Sequence, residues 1–158
     1  MVPAPVTTIT SSAEGISSVP RKLKAPKCHR LAFSPCGERL VTVSRDVFLW
    51  DLSTGNRIWS ARPLKYPSHL AFDLSGQLLA VKNTLGEIVI LDTKSGELAC
   101  KLNVPTPYEG SNICFTRESD FLISGTWDGR LEKYRISDGK LVDSVCFPDQ
   151  MVTQIQMI

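Results

Sequence analysis

Leu31-Ala-Phe33-Ser-Pro35, Leu70-Ala-Phe72-Asp-Leu74 and Ile113-Cys-Phe115-Thr-Arg117 are one phrase written three times. Each sets two large apolar residues two positions apart, ends them on phenylalanine and runs into a polar turn. The phenylalanines lie 39 and 43 residues apart. The chain is therefore a tandem array, and the repeat has to be read before any single motif.

Working outward from Phe33, the segment from Cys28 alternates as a short strand. Ser34-Pro35-Cys36-Gly37 turns it, and Arg39-Leu-Val-Thr-Val-Ser44 returns beside it. In the second copy Gly76 precedes Leu78-Leu-Ala-Val81; in the third Ser119-Asp120 precedes Phe121-Leu-Ile-Ser124. Third strands follow as Val47-Phe-Leu-Trp50, Ile88-Val-Ile-Leu91 and Leu131-Glu-Lys-Tyr134. Asp51, Asp92 and Arg135 come next, and four residues further on stand Gly55, Gly96 and Gly139, where a tight hairpin needs positive φ. Fourth strands begin at Arg57, Leu98 and Leu141. Between second and third strands the copies differ, Arg45-Asp46 being shorter than Asn83 to Glu87 or Thr126 to Arg130. Apolar spacing follows two rather than 3.6 from His29 onward, so almost no helix is expected.

Each copy is a four-stranded antiparallel meander with the repeat length of a β-propeller blade. The expected fold is all-β: blades over about 28–62, 68–103 and 111–146, then the opening strand of another over 150–158 with Val152, Ile155 and Met157 facing inward. Three blades make an incomplete ring. An uncovered blade edge is an aggregation hazard, so the chain reads as a fragment of a longer propeller, with a second copy or a partner protein as the other ways to cover the edge. Residues 1–27 read as a disordered Ser/Thr/Pro-rich tail ending in Arg21-Lys-Leu-Lys24-Ala-Pro-Lys27. A transit peptide is the alternative, opposed by Pro3, Pro5, Pro20 and Pro26, which break an amphipathic helix.

The 158 residues are 42% hydrophobic, enough for a core, and carry a net charge of only +2. That balance does not imply nucleic acid. No apolar run is long enough to span a membrane. Cys28, Cys36, Cys100, Cys114 and Cys146 are odd in number and irregularly spaced, and read as reduced core thiols of a cytoplasmic protein.

Leu31-Ala-Phe-Ser-Pro35, Trp50-Asp51 and Ser124-Gly-Thr-Trp-Asp-Gly129 resemble the WD40 family, whose third strand commonly ends in Trp-Asp; the resemblance covers about four fifths of the chain. The Trp-Asp pair becomes Leu91-Asp92 and Tyr134-Arg135 in the other copies, which leaves other propeller families open. The resemblance implies a hydrogen-bonded set of His, Asp, Ser or Thr, and Trp in each blade. Ser44 with Trp50, and Ser124 with Asp128, match parts of it. His29 and His69 sit too close to Phe33 and Phe72 for the family's histidine position, so incomplete networks are expected.

No catalytic, cofactor-binding or metal-binding residues stand out. Asp51 and Asp92 occupy equivalent places in different blades, beyond one catalytic reach. Cys28-His29 and Cys36 lack a third ligand at metal-site spacing, and no glycine-rich phosphate loop precedes a helix. The chain is therefore read as a non-enzymatic scaffold for protein or peptide partners. The alternative is a fragment of a quinoprotein-like or lactonase-like propeller enzyme whose catalytic residues lie outside it. Propeller ligands usually meet the loops between second and third strands and between blades. On those loops Arg45, Tyr66, Tyr108, Trp127 and Arg130 are the partner-binding candidates, being of the types enriched at interface hot spots. The competing structural roles are Trp127 packing over a neighbouring blade and the tyrosines covering Pro67 and Pro107. Trp59, in a fourth strand, is expected to shield the blade edge.

Overall fold

The computed structural model describes residues 22–155, and they form twelve strands and no helix. The first blade is β1 (Arg30–Phe33), β2 (Arg39–Val43), β3 (Val47–Asp51) and β4 (Arg57–Ala61). The second is β5 (Pro67–Phe72), β6 (Leu78–Asn83), β7 (Ile88–Asp92) and β8 (Leu98–Lys101). The third is β9 (Ile113–Phe115), β10 (Phe121–Gly125), β11 (Arg130–Arg135) and β12 (Leu141–Cys146). Every neighbour pair in these three sheets is antiparallel and sequential. The expected all-β blades are what the chain builds, and the sheets are not closed into a ring.

The hairpins follow from the turn chemistry. Gly55, Gly96 and Gly139 all take positive φ, at 74°, 76° and 68°. In the first two, the preceding carboxylate closes the turn: Asp51 Oδ1 accepts from the Ser53 and Thr54 amides, and Asp92 Oδ1 from those of Lys94 and Ser95. The Ser53 hydroxyl and Thr54 amide hold Asp51 below the usual carboxylate range, and the Ser95 amide does the same for Asp92. Both acids are occupied in turns, as an Asx motif requires.

Blades stack through two seams. Val41, Val43, Val47 and Leu49 of the first meet Leu79, Val81, Val89 and Leu91 of the second. Ala80, Ile88 and Ile90 of the second meet Ile113, Phe115, Leu122 and Tyr134 of the third. Each fully buried aliphatic side chain contributes about 1.5–3 kcal/mol, so these seams hold the blades together. The three repeat phenylalanines show what a seam does. Phe115 is buried, Phe72 packs on the first seam, and Phe33, on the face with no blade before it, is 44% exposed. That face is capped in part by the extended segment before β1, whose Leu23 and Ala25 pack on Leu40, Phe48 and Trp50.

Several expectations need correction. The cysteines are not core residues: Cys36 and Cys146 are exposed, and the other three are only partly buried. No strand forms over residues 150–155, because every innermost strand takes its ladder from the strand after it and no such strand follows among the described residues. Instead Phe147 and Val152 donate their amides to Gly129 and Thr126, folding the segment over the β10–β11 turn. Met157 and residues 1–21 lie outside the described residues. Trp59 shields a seam rather than an outer edge: its indole lies against Gly96 and donates to the Thr93 carbonyl at 2.8 Å in the next blade.

Candidate partner-binding face

The turns between second and third strands and the connectors between blades fall at one end of the sheets. Two connectors are held there by backbone bonds to those turns. Thr84 donates to the Tyr66 carbonyl at 3.1 Å, and Trp127 to the Glu109 carbonyl at 3.1 Å. Gly86 lets the backbone of Tyr108 approach so closely that a Cβ would sit 2.3 Å from the Tyr108 amide nitrogen. Tyr66, Tyr108 and Trp127 thus stand on the same rim, 69%, 46% and 42% exposed.

The first connector shows why. In Arg62-Pro-Leu64-Lys65-Tyr66, Leu64 is buried in the seam between the first two blades, so its neighbours are turned outward. Arg62, Lys65 and Tyr66 are exposed. With Arg45 from the β2–β3 turn, His29, Ser44, Thr84 and the start of β5, they line a cleft of about 540 Å³. Its floor is fixed by His29 Nε2 donating to the Pro67 carbonyl at 3.0 Å and Arg30 Nε donating to that of Ser68 at 3.1 Å. Arg62 donates to Asp46, which holds that carboxyl below its usual range.

Of the five residues singled out by sequence, Arg45 and Tyr66 share this cleft. Tyr108 and Trp127 lie further along the rim, beside the second and third blades. Arg130 is engaged inside the fold. Its guanidinium reaches Asp128 at 2.9 Å, Glu132 at 3.0 Å and the Thr106 carbonyl at 3.2 Å.

Arg130 belongs to a polar network in the second seam that the sequence reading missed. Lys82, 1% exposed, donates to Ser124 Oγ at 3.0 Å and to the Gly125 carbonyl at 2.7 Å. Glu132, 2% exposed, accepts from Tyr134 at 2.7 Å. Burial lowers the Lys82 ammonium from its usual 10.5 to about 8, against the pull of Glu132. Burial and the bond to Glu132 raise the Tyr134 phenol. The signal lay in two charges, Lys82 and Glu132, at strand positions whose parity faces a neighbouring blade. Nearby His69, on β5, is pushed down to about 4 by burial and then by Arg30 and Lys82.

The network around the first-blade tryptophan also differs from expectation. Trp50 Nε1 donates to Thr42 Oγ1 at 2.9 Å, not to Ser44. Trp50 pairs directly with Leu40, so its diagonal neighbour on the same face is Thr42, while Ser44 lies beyond the strand. Ser124 serves Lys82, and Asp128 is bonded by Thr126 and Arg130.

The same architecture recurs in solved structures. RRP9 WD40 repeats superpose with a TM-score of 0.74 at 15% identity, covering 83% of this chain and 42% of that one. In sequence, a guanine nucleotide-binding protein subunit beta of Oryza sativa subsp. indica is 31% identical over 118 residues, 66% of this chain and 31% of its own length.

The chain is built of WD40 repeats.

Echinoderm microtubule-associated protein-like 2 of Mus musculus is 30% identical over 112 residues, 69% of this chain and 17% of that protein. The chain thus spans less than a third of the length of these curated relatives. No protein-family model matches it. A Kuenenia stuttgartiensis hydrazine synthase superposes with a TM-score of 0.71 at 16% identity, over 89% of this chain and 41% of that one. At that identity the likeness is one of fold, and fold does not carry chemistry. The WD40 relatives are consistent with a role in protein interaction.

Proposed function

We propose that this chain is a non-enzymatic scaffold that holds protein or peptide partners on the loop face of its WD40 blades. One observation carries the reading. Arg45, Tyr66, Tyr108 and Trp127 present cationic and aromatic surface along one rim, whereas Lys82, Glu132, Asp51 and Asp92 are consumed by seams and turns. Side chains of the first group are those that anchor interfaces, whereas Lys82 and Glu132 are buried and the Asp51 and Asp92 carboxylates are occupied in closing their hairpins. Nucleic acid and membranes are not part of this reading, given a net charge of only +2. Five free thiols spread over the three blades support a reducing, cytoplasmic setting.

The test replaces Arg45, Tyr108 and Trp127 together by Ala and measures partner capture by crosslinking and mass spectrometry, with Leu74→Ala/Arg117→Ala at the opposite end of the blades as control. Loss of the captured set in the triple variant only, with an unchanged circular dichroism spectrum, is the expected result. An unchanged set defeats the loop-face reading.

A further inference from the structure

The cleft between the first two blades has a charge pattern that the scaffold reading does not explain. Arg45, Arg62, Lys65 and His29 line it, and no carboxylate does. Arg62 is neutralised by Asp46. Among the described residues, Arg45 and Lys65 form no ion pair. Two cations therefore face an open volume of about 540 Å³, within the roughly 300–1,000 Å³ of small-ligand sites.

Tyr66 gives the second observation. It is not glycine, yet its φ is 54°, a left-handed conformation that strains an L-residue. The Thr84 amide on its carbonyl and the buried Leu64 two residues earlier keep it there. The outcome of that strain is a phenol ring 69% exposed at the mouth of the cleft, where it adds nothing to the core. Strained backbone that presents a side chain to solvent points to a use outside the fold.

We infer that this cleft receives an acidic peptide segment of a protein partner, its carboxylates drawn to Arg45 and Lys65 and its chain lying against Tyr66 and Pro67. The inference rests on the loop-face reading and names the chemistry of one part of that face. Ser44 and Thr84 stand on the same lining as hydroxyl donors. A peptide suits the site better than a polynucleotide because the cations are confined to one cleft of a nearly neutral chain, whereas a phosphate backbone calls for a basic stripe. Charge complementarity of this kind sets the association rate and the choice of partner.

The experiment is fluorescence anisotropy of the full chain with fluorescein-labelled Glu-Gly, Gln-Gly and Lys-Gly repeat peptides of equal length and a single-stranded oligonucleotide. The Glu-Gly peptide should bind in preference to the other three, and more weakly as salt rises. Arg45→Glu/Lys65→Glu should weaken it about tenfold or more, as expected for two exposed charge contacts reversed. Tyr66→Gly, which relieves the strained φ, should weaken binding without lowering the urea midpoint. Leu74→Ala/Arg117→Ala, at the opposite end of the blades, should leave affinity unchanged. Equal binding of all three peptides, insensitivity to charge reversal, or preference for the oligonucleotide would each overturn the inference. Failure of the cleft alone is distinguishable: partner capture would then be lost with Tyr108→Ala/Trp127→Ala while surviving Arg45→Glu/Lys65→Glu. Capture indifferent to both pairs would remove the loop-face reading as well.

Discussion

Replacing Lys82 by Met should change how stability depends on alkaline pH. The amine is 1% exposed and faces Ser124, Gly125 and Glu132, with Arg130 and Asp128 nearby. Below its folded value of about 8 it is charged in both the folded and unfolded chain. Between there and 10.5 the folded chain has released a proton that the unfolded chain still holds, so the unfolded state binds more protons and stability rises with pH. Over the whole window that difference amounts to about 3 kcal/mol. Tyr134, Cys100 and Cys114 have raised values and act in the opposite sense at higher pH, because their unfolded forms ionise first. Subtracting the Lys82→Met profile from that of the wild type removes their contribution.

From about pH 8 to about pH 9.5 the wild type should gain about 2 kcal/mol on the variant. Near neutral pH the comparison is less one-sided. Met relieves a desolvated charge but leaves Ser124 Oγ and the Gly125 carbonyl without their donor, at about 1–3 kcal/mol for each orphaned acceptor. Urea unfolding followed by tryptophan fluorescence at several pH values gives both profiles. Parallel profiles across that window would show that the amine is not desolvated in the seam, and the account of the network would fall with it.

Other perturbations address other parts of the fold. Thr42→Val removes the acceptor of the buried Trp50 N–H and should cost about 1–3 kcal/mol in urea unfolding, whereas Thr42→Ser should cost less; equal losses would deny the bond its role. His69, whose folded value is near 4 against 6.5, stays neutral where the unfolded chain is protonated. Stability should therefore fall as pH drops from 6.5 toward 4, and His69→Gln should flatten that limb; an unchanged acid profile would refute it. Phe33 and Val145, 44% and 48% exposed on the first and third blades, should make the chain self-associate. Sedimentation should show mass rising with concentration, less so in Phe33→Glu/Val145→Lys, and a sharp concentration-independent monomer would count against it.

How much of this was legible in the sequence depends on which constraint each residue obeys. Strand and turn positions obey local rules: period-two alternation placed β1 to β12 to within a few residues, and Gly55, Gly96 and Gly139 marked hairpins because positive φ excludes most other residues. The first tryptophan's partner was not legible: the family pattern places Ser44 with Trp50 in an incomplete set, while the strand register gives Thr42. A register depends on the pairing of two segments, and neither segment alone displays it. Residues 150–155 were misread for a related reason: an opening strand needs the next strand to pair with, however regular its own alternation.

The cleft was half legible, and the missing half shows the limit of reading loops singly. Arg45 and Tyr66 are 21 residues apart in sequence and belong to different connections, yet they meet because the Thr84 amide and the buried Leu64 seat one connector against its neighbours. Their type made them candidates, but only the seam made them neighbours. The same seam logic separates Arg130 from the group. On the loop it had the composition of an anchor, but Glu132 faces the adjoining blade from the middle of β11, and a buried carboxylate requires a nearby cation. In a propeller a charged loop residue therefore has two competing uses, and the parity of the nearest buried charge on the adjoining strand decides between them. Phe48 stands in the first blade where Glu132 stands in the third. With no buried acid there to claim it, Arg45 remains turned toward solvent.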